Sequence, residues 1–230
     1  MIRVHEGPVV DTANDIEIIE CANCGFKHAL IHEDSADIYT SHYYEAEKPS
    51  YITSNESESD WWDLTYGERI SKIDSMANTE VKNWLDIGTG PGLFLDALKK
   101  RNRTAIGIEP SVQAYGHAIL KGHNVINKYF DSTITSELGE FDAVHFSEVL
   151  EHIPNPFEFL VNVKNVVKLG GFFCAVVPND YNPIQEIFTE ISGVRKWWLE
   201  PPFHLNYFNK QSLEHLIERA GFQVVHSTVM

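Results

Sequence analysis

Cysteine is scarce in this chain. Three among 230 residues cannot supply the framework of a secreted, disulfide-stapled protein. Two of them, Cys21 and Cys24, form a C-x-x-C pair and Cys174 stands apart, so structural disulfides are not expected. Basic charge is scarce too: 18 Lys and Arg face 33 Asp and Glu, and the net −15 gives a surface that repels polyanions. That excludes non-specific nucleic-acid binding. Long apolar runs are missing. The longest, Phe172 to Val177, falls far short of the ~20 residues of a membrane helix, and the polar start from Met1 to Glu6 lacks the apolar segment of a signal peptide. A cytoplasmic protein with no membrane partner is the expectation. Internal repeats and low-complexity tracts are absent as well.

What is present describes an ordinary globular chain. Hydrophobic residues at 43% and charged residues at 22% predict a real core, and the length predicts one sizeable domain with an appendage. From Val81 onward, apolar β-branched runs alternate with helical patterns. Strands are expected at Val81 to Ile87, Thr104 to Ile108, Asn124 to Asn127, Phe141 to Phe146 and Phe172 to Val177. Helices are expected at Leu93 to Lys100, Val112 to Lys121 and Pro156 to Lys168, the last stopped by Leu169-Gly170-Gly171. This alternation is that of βαβ units, hence an α/β fold with a Rossmann-like, mostly parallel sheet covered by helices on both faces. A late helix, Lys210 to Ala220, leads into a last strand, Phe222 to Val229. Residues 180–208, rich in aromatics and prolines, read as a cap inserted into this domain. The organisation expected is a small Cys/His module over 1–36, an aromatic-rich helical lid or linker over 37–80, and the α/β domain over 81–230.

The run from Trp84 to Gly92 places a strand end, a glycine turn and a helix start in sequence, so that backbone N–H groups can meet a ligand. The nicotinamide fingerprint G-x-G-x-x-G would need glycine where Leu93 stands, which makes an NAD-type oxidoreductase the alternative rather than the main reading. Glu109 ends the next strand, where a carboxylate can accept hydrogen bonds from both hydroxyls of a ribose. Loop and acid fall on the same edge of the sheet.

Three blocks, Asp86 to Gly92, Gly107 to Ser111 and Phe141 to Val144, resemble the signature blocks of class I S-adenosylmethionine-dependent methyltransferases. The likeness continues through Ser147 to His152, Gly170-Gly171 and His204 to Phe208, so it spans about Val81 to the C-terminus. Within that class it resembles the small-molecule methyltransferases of ubiquinone biosynthesis and of sugars and natural products. The resemblance implies in-line methyl transfer from S-adenosylmethionine to a small-molecule acceptor, with S-adenosylhomocysteine as product. It implies that Asp86, Gly88 and Gly90 surround the methionine part, with Thr89 and Gly92 in the same loop. Glu109, followed by Pro110, would hold the ribose, while Tyr129, Phe130 and Asp131 flank the adenine. Ser147 joins this cofactor set, and Tyr43 and Tyr44, ahead of the first strand, would close over it. A methyltransferase-like scaffold without catalysis is the reading outside the enzyme class.

Glu148, Glu151 and His152 follow the fourth strand. Two carboxylates and an imidazole can hold a hard divalent metal, His152 can act as general base near neutral pH, or it can be a structural histidine. In the ubiquinone-biosynthesis enzymes a similar E-x-x-E-H block is associated with a divalent metal. Glu148, His152 and His204 form the catalytic set, His204 by the resemblance of its late block.

Cys21-Ala22-Asn23-Cys24-Gly25 resembles one knuckle of a zinc ribbon. Related C-methyltransferases supply a second cysteine pair that this chain lacks. His5 and His28 can complete a Cys2His2 zinc site, with His32 as a substitute, or the segment is a metal-free hairpin with two thiols. Class I methyltransferase sheets usually end with a seventh, antiparallel strand. With Phe222 to Val229 as the sixth, Met230 leaves no residues for it. The expectation is a truncated form, a rearranged sheet, or an unpaired edge that invites self-association.

Overall fold

The computed structural model describes residues 5–31 and 59–229. The elements run β1 (Val9–Ala13), β2 (Ile16–Glu20), β3 (Lys27–Ala29), α1 (Ser59–Met76), β4 (Asn83–Ile87), α2 (Leu93–Lys100), β5 (Thr104–Ile108), α3 (Val112–Leu120), β6 (Val125–Ile126), α4 (Ser132–Thr135) and β7 (Phe141–Ser147). After a 3-10 turn at Leu150–His152 come α5 (Pro156–Val166), β8 (Val167–Val176), α6 (Pro183–Ser192), β9 (Asn206–Tyr207) and α7 (Lys210–Arg219). The chain divides into two compact units, one of Met1–Ser35, Glu148–Val161 and Val177–Met230, the other of Ala36–Ser147 and Asn162–Val176.

The second unit carries a five-stranded sheet in the order β6-β5-β4-β7-β8, with every pairing parallel. Central β4 is covered on both faces, so Trp84, Leu85, Asp86 and Ile87 are all buried. α2 forms because Phe94, Leu95, Ala97 and Leu98 repeat at helical spacing and turn inward, while Lys99 and Lys100 sit in the last turn, where the helix dipole favours cations. Its buried face meets Tyr66, Ile70 and Ile73 of α1 and Trp84 of β4 in one core. Burying each such side chain stabilises by roughly 1.5–3 kcal/mol.

The first unit is built on an antiparallel sheet, β1-β2-β3-β9. Asn14 and Asp15, at φ 51° and 61°, make the tight β1–β2 turn that positive-φ residues favour. Its last strand, β9, comes from the segment expected as a cap: Lys27 pairs with Tyr207 and His28 with Asn206. Ile18, Ala29, Trp198, Leu199 and Tyr207 fill the core. Within that expected cap, α6 starts on a capping box, with Asn182 accepting from Ile184 and Gln185 and with proline at the first helical turn.

Two expectations are corrected. Leu169-Gly170-Gly171 does not separate helix from strand: β8 begins at Val167, and Gly170, at φ 78°, lets it slip in register, so Phe141 pairs with Val167 but Ala143 with Phe172. Residues 222–229 carry no strand, so Phe222 to Val229 is not a sixth strand. Val225 and Val229 are 58% and 54% exposed. β-Branched composition there lacks the neighbouring backbone that a ladder requires. No helix among the described residues is long and apolar enough to cross a membrane. Tyr43, Tyr44 and His32 lie outside the described residues.

Candidate functional site

The glycine loop leaves the carboxyl end of β4 through three left-handed glycines, Gly88 at φ 71°, Gly90 at 53° and Gly92 at 85°. The amides of Gly88 and Thr89 both donate to the Ile108 carbonyl, at 2.8 and 3.1 Å, which ties the loop to β5. Gly107 is required beside it, since a Cβ there would stand 2.8 Å from the Thr89 methyl.

Glu109 closes β5 and is 4% exposed. Its Oε2 accepts from the Gly90 N–H and its Oε1 from the Ser111 N–H, each at 2.8 Å. Burial pushes its carboxyl from 4.5 up to about 7, against the pull of those two amides. Each carboxylate oxygen has a further lone pair for a ligand hydroxyl. The carbonyls of Glu109 and Pro110 are held by Asn127 Nδ2, at 2.8 and 2.9 Å, a contact that the sequence reading missed.

Asp86 accepts from Thr89 Oγ1 at 2.5 Å and from His145 Nδ1 at 2.7 Å. His145, on the neighbouring β7 and in register with Asp86, was not anticipated, nor was Arg69 of α1, which reaches His145 Nε2 at 3.2 Å and Ser147 Oγ at 3.3 Å. Of the residues assigned to adenine, Tyr129 is 39% exposed, and Asp131 caps α4 by accepting from Thr133 and Ile134 at 2.8 and 3.0 Å. Asp86, Gly88, Thr89, Gly90, Gly92, Glu109, Pro110, Tyr129, Phe130, Asp131 and Ser147 thus all belong to the parallel-sheet unit.

The E-x-x-E-H block belongs to the other unit. His152 Nδ1 lies 2.8 Å from the Phe203 carbonyl, so Nδ1 carries a proton and donates it there, while Nε2 stands 3.8 Å from Glu151 Oε1. His204 lies alongside, with ring centroids 5.0 Å apart. Glu151 is wholly buried, and burial first, then the Glu148 carboxylate, hold its carboxyl well above the usual range. Asp180, which the sequence reading passed over, is pushed to about 7, chiefly by burial. Ligand atoms of Glu151, His152 and His204 lie within 4.8 Å of one another.

In the same unit the C-x-x-C knuckle is closed by the Gly25 amide donating to the Cys21 carbonyl at 2.9 Å, with Gly25 at φ 81°. The Ala22 amide donates to the Glu6 carbonyl at 3.0 Å and the Glu20 amide to that of Pro8, also at 3.0 Å, which brings His5 over the knuckle. His5 Nδ1 stands 3.5 Å from Cys24 Sγ and 3.8 Å from Cys21 Sγ. A tetrahedral zinc with Zn–S near 2.3 Å and Zn–N near 2.0 Å sets sulfur and nitrogen about 3.5 Å apart. His28 completes the group: all four ligand atoms lie within 4.8 Å, and its Nε2 is buried without a hydrogen-bond partner. Burial, then His5, lower its pKa to about 4, leaving a neutral imidazole. The four residues fit zinc.

A glycine loop closing the central strand and an acid closing its neighbour, on a parallel sheet flanked by helices, define the class I S-adenosylmethionine-dependent methyltransferase domain. A family model described as methyltransferase domain matches residues 65–227, and the chain belongs to that family. A ubiquinone biosynthesis O-methyltransferase of Saccharophagus degradans is 31% identical over 151 residues, 58% of this chain and 62% of that protein. The chain spans about half to three fifths of the length of the curated relatives it matches. Among solved structures, the plantazolicin methyltransferase BpumL in complex with SAH superposes with a TM-score of 0.60 at 18% identity, over 78% of this chain and 72% of that one. A SAM-dependent methyltransferase from Archaeoglobus fulgidus gives 0.55 at 22% identity, over 70% and 69%. At these identities the likeness concerns the fold.

Proposed function

We propose that the chain binds S-adenosylmethionine and directs its methyl group to the hydroxyl of a small-molecule acceptor. The observation that carries this reading is the buried Glu109 carboxylate, clamped to the Gly90 amide at the carboxyl edge of the sheet. A sulfonium methyl is already activated, so the work left to the chain is to hold, to exclude water and to accept a proton. Glu109 is assigned to the ribose hydroxyls, the loop of Asp86 to Gly92 to the methionine part, Tyr129, Phe130 and Asp131 to the adenine, and Tyr43 and Tyr44 to closure. The hydroxyl acceptor is carried over from the O-methyltransferase named above. His152, whose Nδ1 is engaged by the Phe203 carbonyl, is assigned to take the acceptor's proton at Nε2, with Glu148 and His204 in its surroundings. Glu151, His152 and His204 also favour a second reading of this block, as ligands of a hard divalent cation.

Melting curves with S-adenosylmethionine, S-adenosylhomocysteine and NAD test the donor: a shift with the first two is expected, and a shift with NAD alone would sink the reading. Binding without methyl transfer to any metabolite extract would leave a non-catalytic scaffold. His152→Ala is expected to lower kcat by about 10²-fold or more while donor affinity holds. Unchanged turnover would reduce His152 to a structural role.

For the Cys/His cluster we infer structural zinc held by His5, Cys21, Cys24 and His28. When bound, the metal ties the β2–β3 turn to the chain preceding β1. The Arg219 guanidinium donates to the Cys24 carbonyl at 2.9 Å, which fixes the knuckle from α7.

A further inference from the structure

Helix α6 presents its apolar side to water rather than to its own unit. Of its ten residues Thr189 alone is buried, whereas Ile184 and Ile191 are 81% and 82% exposed and Ile187 and Phe188 are half exposed. These four follow i, i+3, i+4, i+7, the spacing by which a helix ordinarily turns one apolar stripe toward a core. With about 100° between successive residues, Thr189, Glu186 and Glu190 point roughly 110–150° away from the centre of the stripe, so neither carboxylate enters it. The apolar surface continues over the next turn through Val194 and Trp197, both half exposed, and the Trp197 indole meets the Phe188 ring at 5.6 Å. Trp197 in turn abuts Trp198 at 5.1 Å, and Trp198 packs with Ile18 and Tyr207 in the core of the first unit. Both ends of the helix are tied as well, by the capping box at Asn182 and by the Gly193 amide, which donates to the Thr189 carbonyl at 2.9 Å. The face is ordered before any partner arrives, which lowers the cost of association.

The largest apolar patch on an ordinary monomer covers ~300–600 Å². Six side chains at these exposures leave roughly 700 Å² in water, and two such faces reach ~1,400 Å², within the ~1,200–2,000 Å² that stable specific interfaces bury. The pattern of the stripe indicates which partner fits. It is symmetric about the midpoint between Ile187 and Phe188, so turning it end for end sets Ile184 against Ile191 and Ile187 against Phe188. A second copy of the helix running antiparallel therefore matches it position for position, the self-complementarity of a two-fold interface. A lipid surface fits less well: a helix lying on a membrane carries Lys or Arg on its polar face, and α6 carries only Glu186 and Glu190 there.

We propose that the α6 face is a homodimer interface, in which two copies of the chain pack antiparallel through Ile184, Ile187, Phe188 and Ile191. Sedimentation of the full chain tests it. Wild-type protein is expected to dimerise at micromolar concentration and to associate more tightly as ionic strength rises, because salt screens the −15 carried by each copy. Ile184→Glu and Ile191→Lys are each expected to weaken self-association by about a hundredfold or more, since either substitution enters the interface twice. The melting temperature of the monomer should hold in both variants, because both side chains are exposed. An equimolar mixture of the two variants should recover pairing: the new carboxylate at position 184 of one copy meets the new ammonium at position 191 of the other, and the remaining Ile191 and Ile184 stay in contact. Wild-type protein that sediments as a monomer at every concentration, association that loosens with salt, or a mixture that stays monomeric would overturn the proposal. Co-flotation with lipid vesicles by a chain that stays monomeric would overturn it too, and give the face to a membrane.

Discussion

Glu109→Ala is expected to weaken S-adenosylmethionine and S-adenosylhomocysteine binding by about a hundredfold or more. Two ribose hydroxyls donating to an ionised acceptor contribute ~1.5–3 kcal/mol each. The substitution also removes the acceptor of the Gly90 and Ser111 amides, leaving two buried donors to find water, so melting temperature should fall as well. The same residue sets a pH dependence. Its carboxyl is raised by burial to about 7, above the ordinary 4.5, so ionising it works against the fold. The stability it contributes is full below about 4.5 and is lost as pH rises through about 7. Ligand hydroxyls favour the ionised form, so donor affinity should climb with pH up to about 7 and then level, with a proton released on binding below that point. Calorimetry in buffers of different ionisation enthalpy reads that proton directly. A flat pH profile with unchanged affinity in Glu109→Ala would remove the residue from the ribose site.

The elements that could be read from the residues alone are those whose signals are local. Helix Leu93–Lys100 and strand Thr104–Ile108 are found where the spacing of their apolar residues puts them. The glycine loop was legible for the same reason, since left-handed backbone at Gly88, Gly90 and Gly92 is a property of each residue. What escaped depends on register between distant segments. His145 lies in an apolar run where a histidine reads as core, and only its pairing opposite Asp86 on adjacent parallel strands reveals its hydrogen bond to that carboxylate. Arg69 sits on α1, and its partner is remote in sequence. The pairing of Lys27 and His28 with β9 likewise joins ends of the chain that no local pattern links. At Phe222 to Val229 the local signal was present and misled, because strand-forming residues make a strand only beside a free backbone edge. In the Cys/His cluster His5, Cys21, Cys24 and His28 could all be named from the sequence, and the fold brings their ligand atoms within 4.8 Å of one another, His5 through backbone pairing beside β2.

Protein never exposed to chelator is expected to carry about one zinc per chain, held by the Cys/His cluster, and Cys21→Ser/Cys24→Ser to lose it together with a large part of the first unit's thermal stability. The size of the effect separates the two readings of the knuckle. Cys21 and Cys24 are 1% and 6% exposed, and if they are simply buried thiols, exchanging sulfur for oxygen costs on the order of 1 kcal/mol each. If they are thiolate ligands, the metal's binding free energy is folding free energy, ~10–16 kcal/mol in isolated zinc-finger peptides, and even a fraction of it exceeds the thiol term. The unmetallated knuckle would keep its turn bonds, the Ala22 amide bond to the Glu6 carbonyl and the Arg219 contacts to the Asn23 and Cys24 carbonyls. A chelator should therefore lower the melting temperature of wild-type protein and leave that of the double variant unchanged, since the variant has no metal to give up. Elemental analysis without zinc, together with a wild-type melting curve indifferent to chelator, would establish the metal-free hairpin instead. In that case the approach of His5 to two sulfurs is a packing contact, and the buried Nε2 of His28 needs another partner.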